Sequence, residues 1–118
     1  MILLAEDNLS NLMTISDYLE ANNFRVGVAH NGVEAIARAS EIDPGIILMD
    51  IQMPIMDGLE AIRRLRRMPR FNSTPIIALT ALAMFGDRER CLDAGASEYL
   101  SKPVDLKNLV NIIYRLTS

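Results

Sequence analysis

The sequence predicts an α/β fold of the doubly wound (βα)5 type: a three-layer sandwich whose five-stranded parallel sheet runs in the order 2-1-3-4-5. Three observations predict it. Five short apolar runs, Ile2 to Ala5, Arg25 to Ala29, Ile46 to Met49, Ile76 to Leu79 and Ser97 to Leu100, alternate with stretches of helical spacing. The first, third and fourth runs are apolar throughout, as strands covered on both faces must be. The second and fifth carry polar residues, which suits the edges of the sheet. Caps and breakers then fall between the runs where helices need to begin and end.

Taken in order, the first strand leads to a helix opening at Asn8, a good N-cap, with Leu9, Leu12, Met13 and Leu19 expected on its inward face. The second strand leads to a helix that begins near Asn31, supported by Glu34 three residues on, and stops before Pro44. After the third strand, Pro54 and Asp57-Gly58 shape a loop, and a helix follows from about Gly58 to Arg67, ended by Pro69. The helix after the fourth strand is expected over Ala83 to Asp93, closing on Gly95, the residue type suited to a left-handed cap. The last helix starts near Asp105, with Leu106, Leu109, Val110 and Ile113 facing inward. No repeat, linker or low-complexity tail interrupts this pattern. The chain starts at its first strand and ends with its last helix, so a single domain over 1–118 is expected.

Composition narrows the function without naming it. Half of the residues are apolar, which is enough for a sizeable core. A net charge of −3 lacks the footprint of a nucleic-acid binder. No apolar run approaches the roughly 20 residues that span a bilayer, and the start has no secretory leader, so a cytoplasmic protein without membrane contact is expected. The lone Cys91 can form neither an internal disulfide nor a thiolate metal site and reads as an apolar filler.

All strands of a parallel sheet end at one edge, so the residues after each run converge. They are Glu6 and Asp7 after strand one, Asp50 after strand three, Thr80 after strand four, and Lys102-Pro103 after strand five. Three carboxylates gathered in one place repel each other and lose hydration unless a cation offsets them. Mg²⁺ suits a small acidic pocket of this kind, since it takes few carboxylates and keeps several waters. With that ion and Lys102 beside it, Asp50 can attack phosphorus, and Thr80 can donate to the resulting phosphate. Glu6 and Asp7 alone would read as helix-capping acids, and Thr80 or Lys102 alone as a cap or a solvated charge. A carboxylate directly after Ile46-Ile47-Leu48-Met49 has no packing explanation.

These residues resemble the response-regulator receiver family over essentially the whole chain. The matching pieces are Leu4-Ala5-Glu6-Asp7-Asn8, Met49-Asp50-Ile51-Gln52-Met53-Pro54 with Met56-Asp57-Gly58, Ala78-Leu79-Thr80-Ala81, and Ala94-Gly95-Ala96 running to Tyr99-Leu100-Ser101-Lys102-Pro103. The resemblance implies a flavodoxin-like fold with Asp50 as phosphoacceptor. It implies Asp7, Asp50 and the Gln52 backbone carbonyl as Mg²⁺ ligands, with Glu6 acting through water. It further implies that Thr80, Lys102 and the Ala81 N–H hold the phosphoryl oxygens, that Thr80 and Tyr99 form a switch, and that the Lys102–Pro103 peptide is cis. Glu6 stands where an aspartate is frequent.

The implied partner is a histidine kinase or a histidine phosphotransfer protein, with room for a phosphorylation-dependent homodimer. The segments Ala5-Glu6-Asp7-Asn8 and Gly86-Asp87-Arg88-Glu89-Arg90-Cys91-Leu92 look most like receivers of hybrid sensor histidine kinases; a stand-alone regulator is the alternative. Less favoured is a Mg²⁺-dependent phosphohydrolase of the haloacid-dehalogenase type, which needs a second aspartate where Gln52 stands. A flavin carrier on the same architecture would meet an acidic crevice unsuited to its phosphate. Tyr99 also fits a half-buried edge aromatic, His30 reads as exposed and not a ligand, and Arg63, Arg64, Arg66, Arg67 and Arg70 read as a solvated helix face. Gln52 and Leu82 flank the predicted site and are expected to govern water access to the phosphorus.

Overall fold

The computed structural model describes residues 1–81 and 86–118. In it, β1 (Ile2–Ala5), α1 (Leu9–Ala21), β2 (Val26–Ala29), α2 (Gly32–Ile42), β3 (Ile46–Asp50), α3 (Gly58–Arg67), β4 (Ile76–Thr80), α4 (Asp87–Ala94), β5 (Glu98–Ser101) and α5 (Leu106–Thr117) follow in chain order. All strand pairs are parallel and the sheet order is β2-β1-β3-β4-β5, as the sequence predicts.

Strand side chains alternate between two cores. Leu3, Ala5, Ile47, Met49, Ile76 and Ala78 join Ala35 and Ala39 of α2, Ile62 and Leu65 of α3, and Cys91 and Ala94 of α4. Ile2, Leu4, Ile46, Leu48, Ile77 and Leu79 meet Leu12, Ile15 and Leu19 of α1 and Leu109, Val110 and Ile113 of α5. Every residue of β1, β3 and β4 is buried, whereas β2 and β5 are partly exposed at the edges. Each fully buried Leu or Ile contributes about 2 kcal/mol, so the three central strands dominate the stability of the sheet.

Side-chain caps set the helix starts. Asn8, Asn31, Asp57 and Asp105 each accept a backbone N–H three residues on, from Asn11, Glu34, Glu60 and Asn108. Several expectations need correction. In α1 the inward residues are Leu12, Ile15 and Leu19, while Leu9 and Met13 are exposed at 65% and 52%. An N-cap at Asn8 sets the helix phase, and Leu9 in the first turn then points away from the sheet. Pro69 opens a short 3-10 turn over Pro69–Phe71, and α3 itself closes at Met68. The described part of α4 begins at Asp87; the expected start at Ala83 lies outside the described residues, as does Leu82. The strand β5 runs from Glu98, one residue later than expected, because Ser97 spends its hydroxyl accepting the Ile76 N–H at 3.1 Å. Leu106 is partly buried and joins the α5 side of the core, with Ile112 as a further buried residue.

Arg66 departs furthest from the sequence reading. It is half-buried, donating to the carbonyl oxygens of Phe71, Thr74 and Gly95 at 2.7, 2.6 and 2.8 Å. Its neighbours Arg63 and Arg64 do lie on the exposed face, paired with Glu60, and Arg70 pairs with Asp43 at 3.2 Å. His30 is exposed and lies 3.1 Å from Glu34.

Candidate functional site

The parallel register carries four strand ends to one edge. Ala5 pairs with Met49, Asp50 with Leu79, and Thr80 with Ser101, so Glu6, Asp50, Thr80 and Lys102 emerge side by side. Short backbone bonds fix the loops beyond them. The Glu6 N–H donates to Ala29 O at 2.9 Å, the Ile51 N–H to Leu79 O at 2.8 Å, and the Lys102 N–H to Thr80 O at 2.7 Å.

The β3–α3 loop folds back on Asp50. The Gly58 N–H donates to Ile51 O at 2.9 Å, and a Cβ at position 58 would collide with the Asp50 carbonyl. Glycine is therefore required there by close backbone approach. The Met56 carbonyl accepts the Gly32 N–H at 3.0 Å, which ties the loop to the start of α2. Asp57 caps α3 and Pro54 lies in the loop, the shaping roles expected of them.

Glu6, Asp7 and Asp50 each present a carboxylate oxygen within 4.8 Å of the others. Glu6 and Asp50 are buried, and Asp7 is exposed. The Lys102 ammonium sits between the two buried acids, 2.6 Å from Glu6 Oε1 and 3.1 Å from Asp50 Oδ2. The Asn8 N–H donates to Glu6 Oε2 at 3.1 Å, and the Gln52 N–H to Asp50 Oδ1 at 3.0 Å. Burial, followed by contact with Glu6, pushes the Asp50 carboxyl up to about 7. Burial acts on Glu6 in the same sense, but hydrogen bonds from Asp50, Lys102 and Asn8 outweigh it and hold Glu6 below the ordinary carboxylate range. The two acids thus divide one proton unequally, with Asp50 the more basic. Desolvation disfavours the Lys102 ammonium, yet hydrogen bonding to both acids leaves its pKa raised.

Thr80 is buried at the end of β4, and exposed Ala81 follows it. Thr80, Gln52 and Asp57 line one side of a cavity of about 210 Å³ whose other wall is Asp87, Arg90 and Cys91 of α4. Tyr99 lies in β5 beside Ala78, half-buried against the α2–α4 core. The Lys102–Pro103 peptide is cis. Cys91 is 2% exposed, and burial raises its thiol pKa, which matches an unreactive filler. Sequence reasoning gave no role to Asp87, a buried carboxylate paired with Arg90 at 3.0 Å, or to Arg66. An acid directly after a glycine at a helix start is a common surface pattern, so nothing in the sequence marked Asp87 as buried.

An all-oxygen donor set of three acids beside one ammonium can hold a hard cation and can stabilise charge on transferring phosphoryl oxygens. The family model for the response regulator receiver domain matches residues 2–114. The chain is 40% identical over 114 residues to the signal transduction histidine-protein kinase BarA of Escherichia coli K12, covering 97% of this chain but only 12% of BarA. It is 38% identical over 112 residues to the polar-differentiation response regulator DivK of Brucella anthropi, of which it covers 91%. Among solved structures, the receiver domain of sensor histidine kinase PA1611 from Pseudomonas aeruginosa superposes with a TM-score of 0.91 at 40% identity, covering 98% of this chain and 95% of that one. That structure holds a magnesium ion coordinated in its active-site cleft. The chemotaxis protein CheY4 of Vibrio cholerae gives a TM-score of 0.91 at 28% identity, with 98% and 96% covered. The order of the strands, the acids and lysine at their ends, and the match over 2–114 lead to one conclusion: this chain belongs to the response-regulator receiver family of two-component signalling.

Proposed function

We propose that Asp50 accepts a phosphoryl group from a phosphohistidine on a histidine kinase or histidine phosphotransfer protein, in a Mg²⁺-dependent reaction. The observation that carries this reading is the Lys102 ammonium held between Glu6 and Asp50 beside the exposed carboxylate of Asp7. The donor set fits the ion. Octahedral Mg²⁺ with bonds of about 2.1 Å places its ligand oxygens about 3 to 4.2 Å apart, close to the 4.8 Å limit within which these carboxylates already lie. Three carboxylates against one ammonium also leave negative charge for a divalent ion to offset. Asp7, Asp50 and the Gln52 carbonyl would hold it directly and Glu6 through water. Bound there, it supplies Lewis-acid stabilisation of the phosphoryl oxygens.

The chain's own residues do the rest. An Asp50 carboxylate oxygen attacks phosphorus; the O–P bond forms as the P–N bond to the donor imidazole breaks, and the imidazole leaves and takes a proton. Lys102 turns from Asp50 to a phosphoryl oxygen, and the Thr80 hydroxyl and Ala81 N–H donate to the others. Thr80 and Tyr99 form the switch that alters the surface around α4, β5 and α5, whose partners include a second copy of the chain after phosphorylation.

We place the domain, residues 1–118, in the cytoplasm. Among the described residues no helix is long and apolar enough to cross a membrane. Its identity to BarA supports a place within a hybrid sensor kinase. The 91% coverage of DivK supports the alternative, a receiver that stands alone. Incubation with Mg²⁺ and acetyl phosphate, followed by intact mass measurement, tests the reading. A phosphoryl mass gain that disappears in Asp50→Asn is expected; no gain, or an equal gain in the variant, refutes it.

A further inference from the structure

We propose that Arg66 is a positioning residue that pins the C-terminal end of α4, so that this helix turns as a lever whose moving end lies beside Thr80. This inference rests on reading Asp50 as the phosphoacceptor, because a phosphoryl group drawing on Thr80 is what sets the lever in motion.

One guanidinium gathers three segments. Arg66 Nε donates to Gly95 O, where α4 ends, at 2.8 Å. Its Nη1 donates to Phe71 O and Thr74 O in the turn that leads into β4. Its Nη2 lies 3.3 Å from Ser97 Oγ, which itself accepts the first N–H of β4. Gly95 has a φ of 121°, and a Cβ there would strike Arg66 Cγ, so the side-chain stem lies directly on the helix end. A planar fork of five donors serves acceptors in several directions, which a lysine ammonium on one atom cannot do.

The opposite end of α4 is built differently. Its N-cap is Gly86, left-handed at φ 88°, with no side chain to brace the turn. The eight residues of α4 bury only Asp87, Cys91 and Ala94, all small. Beneath the first turns lies the cavity of about 210 Å³, with Asp87, Arg90 and Cys91 on the helix side and Ile51, Leu59 and Thr80 facing them. Protein interiors are close-packed, so a void of this size beside a helix fixed at one end gives that helix room to turn. The pin and Thr80 sit at opposite ends of β4, about 13 Å apart at the usual strand rise. Arg66 thus fixes a fulcrum without touching the phosphoryl site.

Cys91 is the only cysteine, is buried, and lines the cavity, so its rate of reaction with a thiol reagent reports the opening of α4. The test compares the parent with Arg66→Lys, and with Ser97→Ala in case the first variant folds poorly. Without ligand, Arg66→Lys should label about tenfold faster, well beyond what its shift in urea midpoint accounts for. A rise fully explained by lost global stability overturns the proposal. With Mg²⁺ and beryllofluoride as phosphoryl mimic, labelling of the parent should slow about fivefold as the lever closes on the cavity. Arg66→Lys should bind the mimic yet lose that response, and Ser97→Ala should lose part of it. Equal responses in parent and variants overturn the proposal. Failure of the parent to gain phosphoryl mass from acetyl phosphate refutes the Asp50 reading instead, and the ligand-free comparison still decides the pin.

Discussion

Replacing Asp50 with asparagine should make the metal-free protein more stable at pH 8, although it removes the central residue of the site. Glu6, Asp7 and Asp50 crowd three carboxylates around the Lys102 ammonium. Burial and the Glu6 contact hold the Asp50 carboxyl at about 7, against an ordinary value of 3.8. A pKa unit is about 1.4 kcal/mol, so keeping Asp50 ionised in the folded chain costs at most roughly 4 kcal/mol. Water entry and side-chain relaxation lower that ceiling, and a gain of about 2 kcal/mol, or about 8 °C in Tm, is the expected result.

The sign with pH follows from linkage. A carboxyl whose folded pKa is raised costs nothing below its unfolded value and its full amount above the folded one. The parent therefore loses stability relative to Asp50→Asn as pH rises from about 4 to about 7, and the two converge near pH 4. Urea unfolding in chelator across that range measures the difference. Saturating Mg²⁺ should then reverse the order, adding about 2.7 kcal/mol to the parent at a hundredfold excess over Kd and little to the variant. A variant less stable than the parent at pH 8 in chelator, or a difference independent of pH, refutes the reasoning.

Three further outcomes are expected. Gly58→Ala should lose about 3 kcal/mol in urea unfolding and also weaken Mg²⁺ binding, because the new methyl displaces the Asp50 carbonyl; unchanged binding would separate the loop from the site. Ile55 has a φ of 71°, is 82% exposed, and centres a tight turn in which the Met56 N–H donates to Pro54 O at 2.7 Å. Ile55→Gly should therefore raise stability by about 1 kcal/mol, read as a higher Tm. Gln52→Ala should change the decay rate of the phosphoryl group several-fold while leaving the urea midpoint in place; the parallel expectation for Leu82 concerns a residue outside those described. Phosphoryl decay followed by intact mass at fixed Mg²⁺ measures it, and equal decay in parent and variant counts against the water-access role.

Much of this architecture was legible because parallel sheets write themselves plainly. A run such as Ile46-Ile47-Leu48-Met49, buried on both faces, can hardly be anything but a central strand, and the residue after it must lie at the sheet edge. That logic assembled Glu6, Asp7, Asp50 and Lys102 from positions up to 96 residues apart. What stayed illegible depends on side-chain direction. Leu9 and Met13 have the spacing of a buried stripe, yet the phase set by the Asn8 cap turns them to solvent. Arg66 sits in a run of arginines, where nothing but the approach of Gly95, Phe71 and Thr74 distinguishes it from its exposed neighbours. Position alone likewise does not reveal that Glu6, one carbon longer than aspartate, is fully enclosed and grips Lys102 at 2.6 Å.

The loop from Asp50 to Gly58 has a consequence for how this sequence can vary. The Gly58 N–H reaches back to Ile51 O, and Met56 O is claimed by Gly32, so the intervening residues form a closed ring latched at two points. Such a ring accepts new side chains where they face outward, as Ile55 does, but an added or missing residue would break a latch and misdirect the carbonyls around Asp50. In homologues this stretch should drift in composition while its length stays constant, so insertions and deletions, more than substitutions, mark the limit of what the site tolerates.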